Sequence, residues 1–109
     1  MSVGLFKCDG NIYDKNSKII MSENIASQRI YDTYLDPAIK ELNIKYFQDG
    51  MDLKFENRES VMYEIDKLLI WVKKNVNGED REYLLIRLIN IKEVINNNLV
   101  NEDDVLYIF

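Results

Sequence analysis

Four glycines and a single proline in 109 residues leave this chain few places to turn. An all-β sandwich or barrel needs turn residues about every 8–12 positions. A chain this poor in them is better served by long helices joined at few corners. Hydrophobic residues at 47% and charged residues at 30% are close to the averages of folded domains, which excludes wholesale disorder. The length suffices to bury one core without disulfides. The reading is therefore one α+β domain over residues 1–109. It should have a small, mostly antiparallel sheet of about four strands, with three to four helices packed chiefly on one face.

The segment Val3–Met21 reads as β. Val3, Leu5 and Phe6 start a strand, Cys8-Asp9-Gly10-Asn11 makes a turn, and Ile12 and Tyr13 continue beyond it. Asp14-Lys15-Asn16-Ser17 is a second turn before the short apolar strand Lys18–Met21, so a hairpin or a three-strand meander fits. Ser22 or Asn24 can cap a following helix, in which Tyr31, Tyr34, Leu35, Ala38, Ile39 and Leu42 recur at helical spacing. Pro37 falls inside that run. Either one helix kinks near residue 36 or two helices break there, and the break is favoured because an interior proline costs about 3 kcal/mol. After the turn at Asp49-Gly50, Met51–Glu56 alternates as a half-buried strand with Met51, Leu53 and Phe55 inward. The C-terminal Val105–Phe109 is apolar enough to require pairing within the sheet.

Two helices remain, about 58–76 and 80–97, separated by Asn77-Gly78 as a glycine stop. In the first, Val61, Ile65, Leu68, Leu69, Val72 and Val76 share one stripe. Tyr63 and Ile70 lie nearly opposite that stripe, and Trp71 flanks it. In the second, Leu84, Leu88, Ile91 and Ile95 share a face, while Leu85, Ile86 and Ile89 fall on another. Both helices thus carry more apolar surface than one core face needs. It is used either for packing the helices on each other or for contact with another chain.

Chemistry is narrowed mostly by what is missing. The chain has no histidine and one cysteine, so no Cys/His zinc set exists and Cys8 has no histidine to activate it. Asp9, Asn11, Asp14 and Asn16 resemble the start of a calcium loop, but the glycine and the bidentate glutamate of such a loop are absent in both registers. No glycine-rich phosphate motif occurs. The expectation is a protein with no catalytic residues, no metal and no cofactor. The N-terminus lacks a basic and long apolar signal, and no run approaches the roughly 18 apolar residues of a membrane span. A cytoplasmic, reducing location is expected. A net charge of −5 opposes binding to nucleic acid or to an anionic membrane and suits a basic protein partner.

Two groups of residues are candidates for partner binding. Glu79, Asp80 and Glu82 open a helix and are explained by its dipole. Glu102, Asp103 and Asp104 form an acidic run in the loop before the last strand, with no helix start to explain them. Such a run can meet Lys or Arg on a partner. Tyr63, Ile70 and Trp71 form the second group, because exposed aromatic residues serve as binding anchors.

The segments Gly4-Leu5-Phe6 to Ile12, Tyr31-Asp32-Thr33-Tyr34-Leu35, and Phe47-Gln48-Asp49-Gly50 with its alternating strand carry a resemblance. In arrangement and composition the chain resembles the small immunity proteins of bacterial polymorphic toxin systems, including contact-dependent growth inhibition. The resemblance implies an inhibitor that binds one cognate toxin, with a nuclease among the kinds of target, and occludes its active site. It assigns no individual residue a role. The alternative is a homo-oligomeric structural or adaptor protein that uses the surplus apolar helix faces, which leaves a homodimer open.

Overall fold

The computed structural model describes residues 2–9 and 16–109. The expected turn at Gly10-Asn11, the continuation at Ile12 and Tyr13, and the turn residues Asp14 and Lys15 lie outside the described residues. Four strands, β1 (Ser2–Asp9), β2 (Lys18–Ser27), β3 (Asp52–Lys54) and β4 (Val105–Ile108), form one antiparallel sheet in the order β2-β1-β4-β3. The apolar C-terminus thus becomes a central strand with a partner on each side. Its register sets Leu5 opposite Ile108, Lys7 opposite Leu106 and Leu53 opposite Leu106. Leu5, Leu53, Leu106 and Ile108 join the helices in the core, while Phe6 stacks on Phe109 at 4.6 Å.

Strand β2 corrects the expected helix caps. Ser22 and Asn24 cap nothing: both lie in the strand, which runs on to Ser27, and Ser27 is the N-cap, its Oγ accepting from Ile30 N–H at 3.3 Å. The ladder with β1 skips one β2 residue between Val3 and Gly4 and another between Lys7 and Cys8. The first irregularity lets consecutive Ile25 and Ala26 both be buried, which strict alternation forbids. This placement is set by the partner strand, and local cap chemistry yields to it.

Pro37 does not break the chain either. Helix α1 (Gln28–Ile30) passes through a π-helical turn (Tyr31–Leu35) into α2 (Asp36–Leu42), with Ile30, Leu35 and Asp36 all in right-handed helical conformation. Asp36 N–H reaches back five residues to Tyr31 C=O. The widened turn takes up the mismatch that the proline ring would otherwise create against the preceding turn. The three segments act as one rod, so the sheet carries three helical units. The expected strand Met51–Glu56 is shorter than its alternation suggests. It ends at Lys54, and Phe55–Asn57 form a 3-10 turn closed by Lys54 N–H donating to Asn57 Oδ1 at 3.1 Å.

Helices α3 (Arg58–Asn75) and α4 (Gly78–Asn98) pack side by side, joined through Gly78 at φ +69°. Val61, Ile65, Leu68 and Val72 of α3 and Leu84, Leu88, Ile91 and Ile95 of α4 are fully buried, as their spacing requires. Lys92 Nζ donates to Asp66 at 2.6 Å, and Arg58 donates to Asn96, which fixes the antiparallel level of the two helices. Arg87 of α4 reaches the edge strand, donating to Glu23 at 2.8 Å and to the Asn24 carbonyl.

Candidate binding surfaces

The three carboxylates of the acidic run are not equivalent. Asp104 folds back on its own loop: its Oδ2 accepts from Val100 N–H at 2.9 Å and from Asn101 N–H at 2.8 Å, and its N–H donates to Asn101 C=O at 3.0 Å. Lys7 Nζ lies 3.0 Å from the other oxygen and also donates to Asn98 C=O at 3.1 Å. The Asn101 N–H, the Lys7 ammonium and the Val100 N–H hold the Asp104 carboxyl down at about 2. Asp104 therefore closes the turn, and Glu102 and Asp103 are the residues it holds exposed.

This depressed pKa has a sign. The native state holds the Asp104 proton less tightly than the unfolded chain, whose value is near 3.8. The contribution to stability is complete above about pH 4–5 and falls away as the pH drops toward 2. Urea unfolding between pH 2 and 5 is expected to show stability rising with pH. In Asp104→Asn, which keeps an acceptor but no charge, that share of the slope should disappear. An unchanged slope in the variant means that other carboxylates carry it.

Beside the turn runs a groove of about 560 Å³ at the ends of β1 and β4, lined by Asp9, Ile20, Asp103, Val105 and Tyr107 among others. Ile20 is exposed there, and Lys7, whose ammonium is held by Asp104, lines the same groove beside Asp9 and Asp103. The arrangement offers carboxylates with an apolar contact between them, which suits a Lys- or Arg-bearing protein surface.

The second group lies elsewhere, on α3. Tyr63 and Ile70 point outward at 64% and 56% exposure, with Lys67 Nζ above the Tyr63 ring at 4.8 Å from its centroid. Trp71 is half-buried, and its indole N–H donates to Glu41. On α4, Ile86 and Ile89 are likewise exposed. The structure thus brings Tyr63 together with Ile70 on one helix face, seats Trp71 against α2, and places the acidic run in a separate loop.

One residue escaped the sequence reading. Glu64 is buried inside the α3 core stripe, and its carboxylate accepts from three consecutive backbone N–H groups: Lys45 at 2.6 Å, Tyr46 at 3.1 Å and Phe47 at 2.9 Å. A carboxylate so enclosed by donors serves to fasten the 43–49 segment to α3. Cys8 is a buried free thiol. Among the described residues, no group of three or more His, Cys, Asp or Glu side chains is placed to hold a metal ion, and no helix is long and apolar enough to cross a membrane. No protein-family model, curated protein or solved structure matches the chain.

Proposed function

We propose that this chain is an inhibitor of the immunity-protein kind, acting in the cytoplasm without catalysis by docking on a basic protein toxin and covering its active site. The observation that carries the reading is the preorganised acidic turn. Asp104 is consumed in holding the loop, so Glu102 and Asp103 are offered to a partner with little ordering left to do on binding. A toxin that acts on nucleic acid needs a cationic groove, and rigid carboxylates can stand where phosphates would lie.

The test uses the toxin encoded beside the gene. The purified pair should form a complex at micromolar concentration, with an association rate that falls as salt is raised. Reversing two charges in Glu102→Lys/Asp103→Lys should slow association about tenfold at low salt. Absence of a complex counts against the inhibitor reading itself. A complex whose rate ignores the double variant keeps the reading but moves the contact off the acidic turn.

A further inference from the structure

We infer that α3 is a self-association seam on which a second copy of this chain docks antiparallel. The outward face of α3 carries Glu59, Tyr63, Lys67, Ile70 and Lys74, all exposed except the half-buried Lys67. Its acidic residue, Glu59, stands near the start of the helix, with Lys67 near the middle and Lys74 near the end. Turning a copy of this face over about a two-fold axis between residues 66 and 67 makes a self-complementary set. Tyr63 of one copy then meets Ile70 of the other, and Glu59 of one meets Lys74 of the other, with both contacts repeated by symmetry. The apolar pairs occupy the middle and the ion pairs close the ends, over about 22 Å of helix.

The neighbouring helix fails the same construction. Pairing the exposed Ile86 and Ile89 of α4 across a two-fold axis brings Glu82 of one copy against Glu93 of the other, two exposed acids of like charge. The two helices offer comparable apolar surface, but α4 would set acid against acid at both ends where α3 sets acid against base, which selects α3 as the seam; the Lys67 pair beside the axis is drawn back, each over its own Tyr63 ring. Lys67 already covers the Tyr63 ring, and Asp66 is held by Lys92. These intramolecular contacts fix the side chains that frame the axis. None of the acidic-turn residues takes part, so this seam and the proposed toxin contact are independent.

Sedimentation equilibrium of the purified chain, from micromolar to millimolar concentration, reads the outcome. A reversible dimer is expected, weak because a single pair of helices is a small interface. Glu59→Lys leaves bases at both ends of the seam, and Lys74→Glu leaves acids at both ends. Each should weaken the dimer roughly tenfold, since two ion pairs become two repulsions. Mixed in equal amounts, the two variants should recover dimerisation as a heterodimer, because each now complements the other. Circular dichroism checks that these exposed substitutions leave the fold intact. A chain that stays monomeric at millimolar concentration overturns the inference. So does a dimer indifferent to both variants, or a mixture that recovers nothing.

Discussion

Replacing Glu64 by alanine is expected to lower the unfolding free energy by about 3–5 kcal/mol, most of the stability of a small domain at the low end of the usual range. The carboxylate accepts from the N–H groups of Lys45, Tyr46 and Phe47, and those donors belong to a segment with no strand or helix of its own to satisfy them. Hydrogen bonds to a charged acceptor contribute about 1.5–3 kcal/mol each, and a buried donor left alone costs its desolvation. The sum is held below three full bonds because Lys45 is exposed, so water can take up its N–H. Glu64→Gln keeps one acceptor oxygen and should lose about half as much. Glu64→Leu should be no better than alanine, since filling the volume leaves the backbone donors unmet. Thermal and urea unfolding measure all three, with a fall in Tm of about 10–20 °C expected for the alanine variant. A loss under about 1 kcal/mol would mean that the segment holds itself in place.

Glu64 also shows what kind of information the sequence holds. It lies three residues after Val61 and four before Leu68, within the face that the apolar spacing assigns to the core. An acid at such a position needs partners, and that signal is readable. Which partners it finds is not, because Lys45–Phe47 are brought to it only by the path of the chain. The same division runs through the fold. Helices α3 and α4 were legible because their buried residues repeat at the period of the helix itself. The four-strand α+β arrangement followed from scarce turns and an apolar C-terminus.

What was not legible is what distant pairing decides. Ser22 and Asn24 have the chemistry of helix caps, yet β1 recruits them into an edge strand. Pro37 has the chemistry of a helix break, yet the π turn ahead of it absorbs the conflict over Tyr31–Leu35. Alternation carries the strand from Met51 to Glu56, yet it ends at Lys54, whose N–H an asparagine side chain accepts to close a turn. At the acidic run, the sequence presents three similar carboxylates. Only the loop geometry separates Asp104, which accepts from its own backbone, from Glu102 and Asp103.

Phe47→Ala is the second large effect, with an expected loss of about 3–5 kcal/mol for a fully enclosed aromatic ring. Phe47 is 1% exposed, and it anchors a segment that otherwise depends on scattered bonds. Asn43 turns the chain out of α2 in the left-handed conformation at φ 56°, and Ile44 N–H returns to Ile39 C=O at 2.9 Å. Gln48 Nε2 donates to Lys45 C=O at 2.9 Å, and Asp49 N–H donates to the Tyr31 hydroxyl at 2.8 Å. The ring and the Glu64 carboxylate hold the same stretch, one by burial and the other through the Phe47 N–H. Their effects should therefore not add. In Glu64→Ala the segment is already loosened, the ring is less completely buried, and removing it costs less. Because Glu64→Ala already removes most of the stability, the coupling is read in the milder pair Glu64→Gln and Phe47→Leu, whose double variant should fall short of the summed single losses by about 1 kcal/mol in urea unfolding. Strict additivity would show instead that the ring stays seated without the carboxylate, and that burial alone fastens residues 43–49 to α3.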